Sequence, residues 1–403
     1  MEILLSIAIP THNRAKYAIH AIRSILTIGN RNLELVVSDT STDGLLEELV
    51  RQGENPLCAD PRFKYLRPAV RLDMTGNHNF ALAAATGEFV CLIGDDDTIT
   101  EDAILAAEWA RENKVDVIAP KVMSNYVWPD FRSRYFGAGH AGRLYLPSRI
   151  GSVNVRQSSD SVTEALSNAA QGTDGLPKIY HGIVRRSLLE KVKALSGAYF
   201  HGSSPDVSGA IGLALCGDRF IEIDYPLTIP GASGGSNTGR SAMNQHKGKL
   251  CHEAQTKAFE SAGWTEGVPG FFSVETVWAH AALETIAKIS PADVPRFNFA
   301  RLIAVCQALH KEYANEIAQA MPSAARIVGM TEADFLKRVS KEKRRYQRQR
   351  LIRFLRRAMR PTVAGGREYT GEIDTVAQTP AVLKAHMANR HWSWEKAVRG
   401  QLT

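Results

Sequence analysis

The apolar positions of the first 120 residues follow two alternating periods. Ile3 to Ile9 is a β-rich run closed by Pro10-Thr11-His12-Asn13-Arg14, whose proline and asparagine stop a strand and open a helix. Ile19, Ile22, Ile25 and Leu26 then recur at helical spacing as far as Gly29-Asn30. Leu33 to Ser38 predicts a second strand, ending in Asp39-Thr40-Ser41-Thr42-Asp43-Gly44, and Leu45, Leu46 and Leu49 a second helix. Phe63 to Leu66 predicts a short strand, and Gly76 to Phe80 leads into an alanine-rich helix. Phe89 to Ile93 is an apolar strand running into Gly94 and three consecutive acids, Asp95, Asp96 and Asp97. Thr100 is the expected N-cap of the next helix, and Val115 to Ala119 the next strand. Strands alternating with helices predict an α/β fold with a mostly parallel central sheet covered on both faces.

Further along, the pattern changes. Phe220 to Ile223 predicts a strand, and Pro230 to Arg240 is too rich in glycine for a helix or a central strand. It reads as a linker or, by its place after a strand, a mobile loop. From about Leu250 helices follow one another without strands, over Ser273 to Ala287, Asn298 to Ala320 and Glu332 to Met359. The division expected is an α/β domain over 1–245, its halves meeting at about 120, and an all-helical domain over 246–403.

Charge sharpens that division. The chain of 403 residues carries a net charge of +7, yet residues 341–360 alone hold ten Lys or Arg and one Glu, leaving about −2 for the rest. Leu351, Leu355 and Met359 lie four apart on the same helix, so 332–360 reads as a basic amphipathic helix. Such a helix suits an anionic membrane surface; it equally suits packing on the protein or on another copy in a homo-oligomer. No nucleic-acid reading module accompanies it, so no specific nucleic acid is expected. No run is long and apolar enough for a membrane span, and the N-terminus has no basic leader, which points to a cytoplasmic protein. Five scattered cysteines with no CxxC pair exclude a thiolate zinc site and a disulfide framework.

In sheets of this kind ligands gather at the carboxyl ends of the strands. Three loops there, at 10–14, 39–43 and 94–97, hold the polar, acid-rich clusters. Adjacent carboxylates repel, and a divalent cation or a ligand carrying one relieves the repulsion. The plain structural alternative is that aspartate and threonine between strand and helix are turn and cap residues. Asn13, Asp39 and Asp95 to Asp97 on one rim suit a nucleotide, with base and ribose on the first two loops and metal and pyrophosphate on the third.

In order and spacing, Ser6 to Arg14, Leu35 to Gly44, Asn79 to Val90 and the aspartate triplet resemble the family 2 glycosyltransferases with a GT-A fold, over roughly residues 3–105. The resemblance implies an inverting transferase in which Pro10, Thr11, Asn13, Arg14, Asp39, Asn79, Asp95 and Asp96 hold the nucleotide. It makes Asp95, Asp96 and Asp97 the metal-binding DxD-type motif for Mn2+ or Mg2+, leaves open which of the three ligates, and points to a further histidine ligand in the region of His246. Gly94 stands where the family usually has an acid, and Ser38 where a second aspartate is common. The catalytic base expected downstream is Asp206, in Ser203-Ser204-Pro205-Asp206-Val207; its structural alternative is the N-cap of the apolar helix that follows.

The aromatic cluster of residues 122–150 reads as an acceptor platform or as local packing, and His181 as a satisfied core histidine. Arg240, His246 and Lys247 are placed to reach a pyrophosphate. The function implied is hexosyl or N-acetylhexosaminyl transfer from a nucleotide sugar, UDP-linked by preference, to a saccharide or lipid-linked saccharide, in surface polysaccharide or glycoconjugate synthesis. The basic helix would hold the enzyme peripherally on the cytoplasmic membrane face. The alternative is a non-catalytic, transferase-like scaffold that binds nucleotide and is recruited to membranes through its basic tail.

Overall fold

The computed structural model describes residues 3–360 and 362–399, and of residues 260–262 the backbone only. Met1 and Glu2 lie outside the described residues, as do Pro361 and the four residues from Gly400. The first part runs β1 (Leu5–Thr11), α1 (Ala15–Leu26), β2 (Leu33–Asp39), α2 (Leu45–Arg51), β3 (Phe63–Leu66), α3 (Met74–Ala83), β4 (Phe89–Leu92), β5 (Thr98–Ile99), α4 (Asp102–Glu112) and β6 (Val117–Pro120). Then come β7 (Asn125–Val127), β8 (Arg143–Tyr145), β9 (Val153–Gln157), α5 (Ser158–Ser167), β10 (Ile183–Arg185), α6 (Arg186–Ser196), α7 (Pro205–Cys216), β11 (Arg219–Ile223), β12 (Thr228–Ile229) and β13 (Gly231–Ala232).

Eight strands form the central sheet in the order β3-β2-β1-β4-β10-β6-β11-β9. Strands β1 to β4 pair in parallel, β10 runs antiparallel between β4 and β6, and β9 runs antiparallel on the far edge. The fold is α/β with a mostly parallel sheet, as the alternating pattern predicts. Side-chain alternation sorts it into two faces: Leu5, Ile7 and Ile9 of β1 enter one core with α1 and α4, while Ala8, Val90 and Leu92 enter another with α3, α6 and α7. Burial of each such leucine or isoleucine contributes about 1.5–3 kcal/mol.

Thr100 does not cap α4. Its hydroxyl donates to the carbonyls of Pro226 and Leu227, because Thr98 and Ile99 pair with β12, and the helix starts at Asp102.

The remainder comprises α8 (Asn237–Ala242), β14 (Lys247–Gly248), α9 (Lys257–Ala262), β15 (Phe272–Ser273), α10 (Val274–Ile289), α11 (Phe299–Leu309), α12 (Ala314–Ile327), α13 (Glu332–Ala358), β16 (Tyr369–Thr370), α14 (Thr379–Asn389) and α15 (Trp394–Val398). It is largely helical, and α10 to α13 share a second core with α5 and α7. The single helix expected over Asn298 to Ala320 breaks at His310, whose Nε2 meets Glu275 Oε2 at 2.8 Å. Residues 246–403 nevertheless do not fold as one separate body. Strand β16 pairs with β8, and Ile373, Val376, Leu383, Met387 and Trp394 belong to the first core. Trp394 packs edge-on against Tyr225 and Trp109, at 5.4 and 6.0 Å between ring centroids. No helix of the described residues is long and apolar enough to cross a membrane.

Candidate active site

Parallel pairing fixes where the loops meet, since Thr11 at the end of β1 lies opposite Asp39 at the end of β2, with β4 on the other side of β1. The triplet that follows β4 is enclosed: Asp95, Asp96 and Asp97 are 5%, 6% and 2% exposed. Three acids out of water need donors, and the first loop supplies them. Thr11 Oγ1 donates to Asp95 at 2.6 Å, Arg14 Nε to Asp95 at 2.6 Å, and Arg14 Nη2 lies 2.9 Å from Asp96.

The opposite side of the triplet is closed by β12 and β13. The backbone N–H of Gly231 donates to Asp97, and the hydroxyl and N–H of Ser233 both donate to Asp96 Oδ2. The segment read as a mobile loop is therefore anchored at its start. Ser233 is fully buried, and a Cβ at 231 would lie 1.9 Å from the Asp96 carbonyl oxygen, so only glycine permits this approach. Gly94 has a similar cause, because a side chain there would meet the Tyr180 hydroxyl at 2.6 Å and Asp97 Oδ2 at 2.9 Å. The acid usual at that position in the family has no room here.

One guanidinium faces three carboxyls, and the balance shows in their acidity. Burial, against the pull of Arg14 and with Asp96 adding to it, pushes Asp95 up to about 6. Burial and then Asp96 push Asp97 well up, against the N–H donors of Gly231 and Gly94.

His181 stands next to the triplet rather than as a satisfied core residue: its Nε2 is 3.3 Å from Asp97 Oδ2, and its buried Nδ1 has no hydrogen bond among the described residues. Burial, with Lys178 adding to it, lowers its pKa to about 3, so the ring is neutral and can donate one hydrogen to Asp97. Its backbone is left-handed, with φ 63°.

Asp206 lies in the first turn of α7, and the cap position belongs to Ser204. The Ser204 hydroxyl donates to Asp206 Oδ1. Burial, then the charges of Asp97, Asp96, Asp95 and Asp206, raise the Tyr180 phenol well above its ordinary value, so Tyr180 lies within electrostatic reach of both acid groups.

The other expected nucleotide residues divide. Pro10 lies in β1, paired with Ser38. Asn13, at φ 55°, ties the first two loops together: its Oδ1 accepts from the N–H and hydroxyl of Thr42. Asp39 is fully buried and accepts from the Ser41 N–H and the Tyr65 hydroxyl. Asn79 is turned away. Its amide donates to the carbonyls of Thr75 and Phe200 and accepts from the N–H groups of Tyr199 and Phe200, so every polar atom holds α3 to that loop. Asn77 takes the rim position instead, bonded to Ser38 and to the Thr11 carbonyl.

His246 does not join the triplet either. It packs edge-on against Phe272, and the charges it feels are Arg240, Glu253 and Glu275. Arg240 grips both oxygens of Glu253, and Lys247 pairs with Glu312, so neither faces a pyrophosphate in this structure. In the aromatic cluster, Tyr126, Trp128, Phe131 and Tyr145 are buried. Trp128 supports the site, donating its indole N–H to the Asp96 carbonyl while packing on Tyr17 and Tyr126.

Whether these residues fit a divalent ion has two parts. Among the described residues no group of three or more His, Cys, Asp or Glu side chains converges as a ready cage. Carboxylate oxygens are the ligands Mg2+ and Mn2+ prefer, however, and a triplet compensated by one arginine retains the negative charge that a cation would settle. The residues fit in chemistry and charge, with Arg14 lying across Asp95 and Asp96.

Known proteins resemble parts of this chain. Residues 6–156 match the family described as glycosyl transferase family 2. Over 101 residues, 25% of the chain, it is 34% identical to the GalNAc(5)-diNAcBac-PP-undecaprenol beta-1,3-glucosyltransferase of Campylobacter jejuni, covering 32% of that protein. It is 33% identical over 101 residues, again 25% of the chain, to the putative colanic acid biosynthesis glycosyl transferase WcaA of Escherichia coli, covering 35% of it. The chain thus spans about a third of the length of the curated relatives it matches. Among solved structures, S. aureus TarS 1-349 in complex with UDP-GlcNAc aligns at a TM-score of 0.46 and 16% identity, covering 86% of this chain and 92% of that one.

Proposed function

We propose that this protein transfers a sugar from a nucleotide donor, UDP-linked by preference, to a saccharide or lipid-linked saccharide with inversion, in polysaccharide or glycoconjugate synthesis. The observation that carries the reading is the convergence of three loops on one rim: Thr11 and Arg14, Asp39 with Asn77, and the enclosed triplet bonded directly to the first loop. The names of the Campylobacter and Escherichia relatives, both glycosyl transferases, support it.

In this reading Asp39 and the Asn13 loop receive base and ribose, and the triplet faces the diphosphate. Asp95 and Asp96 turn oxygens toward Arg14 and would be the residues to hold a divalent ion, while Asp97 is occupied by backbone N–H groups. Such an ion would offset the negative charge that develops on the leaving nucleoside diphosphate. Arg14 brings a donor of its own, since its Nη1 is enclosed without a hydrogen bond among the described residues. Asp206 takes the proton of the acceptor hydroxyl on its free Oδ2, its other oxygen being fixed by Ser204.

The exposed end of α13, with Leu351, Phe354, Leu355 and Met359 among arginines, supports work at an anionic membrane surface. The test is transfer or hydrolysis over a panel of nucleotide sugars with Mn2+ and with chelator, for wild type and Asp96→Ala. Turnover lost in the variant supports the reading, and an equally active variant overturns it. Vesicle flotation unchanged by Leu351→Glu with Phe354→Glu would remove the membrane part alone.

A further inference from the structure

Helices α10, α11 and α13 enclose an open-sided cleft of about 480 Å³ in the second core, a volume ordinary for a small-ligand site. Its walls carry three guanidinium groups, Arg301 of α11 and Arg353 and Arg356 of α13, beside Trp278, Tyr346 and Gln349. The everyday reading of arginines on a charged helix is a solvated face, and Arg348, Arg350, Arg353 and Arg356 are all exposed enough for it.

It does not suffice for Arg301. That side chain is 7% exposed, and while its Nη2 donates to Gln349 Oε1 at 2.5 Å, its Nη1 is enclosed and has no hydrogen bond among the described residues. The nearest acid, Glu342, lies 3.8 Å from Nη1, beyond hydrogen-bond range, and it also faces Arg345 at 3.7 Å. Burial holds Arg301 below its ordinary pKa, opposed by Glu342 and Tyr346 and aided by Arg345 and Arg353. An enclosed N–H donor left unmade costs stability, which a ligand oxygen would recover.

Glu342 Oε2, the ion-pair partner at 3.8 Å, is itself enclosed without a hydrogen bond among the described residues, and the cleft lining offers Nη1 no nearer acceptor. Arg353 and Arg356 make no ion pair and no hydrogen bond among the described residues, and Glu275 on the opposite wall is engaged by His310. The arginines are also held in place, because the guanidinium carbons of Arg301 and Arg353 lie 5.1 and 5.7 Å from the Tyr346 ring centroid. Three guanidinium forks with so little acid to match call for a ligand with more than one negative charge and several acceptor oxygens, and guanidinium geometry suits phosphate.

We propose that this cleft binds a phosphate group, carried either by a free phosphate ester or by a lipid headgroup. It is built from the second core and stands independently of the sugar-transfer reading, since binding is read directly and needs no turnover.

The test uses the full chain with chelator present. Inorganic pyrophosphate is titrated calorimetrically, and co-sedimentation is measured with phosphatidylcholine vesicles with and without phosphatidic acid. The variants are Arg353→Ala with Arg356→Ala, Arg301→Lys, and a control removing the same charge outside the cleft, Arg348→Ala with Arg350→Ala. The two cleft variants should lose about tenfold or more in affinity and the control less than about threefold. Loss in both arms assigns the shared phosphate chemistry. Loss in the vesicle arm alone assigns a lipid headgroup, and loss in the pyrophosphate arm alone a free phosphate ester. Absence of binding by wild type in both arms, or equal loss in control and cleft variants, overturns the proposal.

Discussion

The aspartates after β4 and the arginines of α11 and α13 are both crowds of like charge, but the fold treats them differently. At the sheet edge every acid has partners: Arg14 spans two, Ser233 and Thr11 donate to them, and two backbone N–H groups hold the third. In the helical cleft Arg353 and Arg356 have no acid, and Arg301 keeps an unused donor. Backbone N–H groups can approach a carboxylate wherever a strand passes it. Helix carbonyls are mostly committed to the helix's own N–H groups and offer an arginine less. A parallel sheet can therefore satisfy its acids internally, whereas a cationic helix face is left to find anions elsewhere.

The acidic side is the first place to break the comparison. Asp96→Ala should lower transfer about 10³-fold, or about 4 kcal/mol, read as initial rates over the donor panel. Next, Arg14→Ala leaves Asp95 and Asp96 without their cation and should cost about 3 kcal/mol in urea unfolding. Mn2+ should raise the melting temperature of that variant more than that of wild type, and an equal rise would show that the ion does not take the arginine's place. Asp206→Asn should lower transfer about 10²-fold while nucleotide affinity by calorimetry stays unchanged.

The helical side yields smaller effects. His280 of α10 is fully buried against Trp264, and burial lowers its pKa from 6.5 to about 3. Since the unfolded chain binds the proton more readily, stability is whole above the unfolded value and is lost as pH falls from about 6.5 toward about 3, by up to about 1.4 kcal/mol per unit. Urea unfolding at about pH 7.5 and pH 5.5 should show this slope, and His280→Gln should reduce it by one histidine's share, His78, His181 and His201 contributing in the same sense. Smallest of all, Arg353→Ala should change stability by less than about 0.5 kcal/mol, because the side chain is exposed and makes no ion pair among the described residues.

Period and punctuation made the first 120 residues legible. The strands at Leu33, Phe63 and Phe89 and the convergence of their loops were readable because residues near in sequence also meet in the sheet. What lay hidden came from far along the chain. Ser233 and Gly231 reach the triplet across more than 130 residues, and glycine-rich composition is as consistent with close backbone approach as with mobility. Asn77 and Asn79 sit two apart on α3, and only the packing of the Phe200 loop decides which one faces the rim. His246 was credible as a ligand by its place in the chain alone. The cleft at Arg301 brings together three helices distant in sequence, and nothing in the local pattern marks it.

The return of β16, α14 and α15 to the first core bears on how the chain is made. During synthesis the sheet emerges early, but the surface covered by Ile373, Leu383 and Trp394 stays bare until residues 373–394 have left the ribosome. A nascent chain paused in α13 would show uncovered apolar surface at one end and a cationic helix at the other, the condition in which a chaperone or an anionic surface has most to bind. Deleting residues 369–398 would make that transient condition permanent, whereas substitutions at the exposed positions of α13 leave the first core closed.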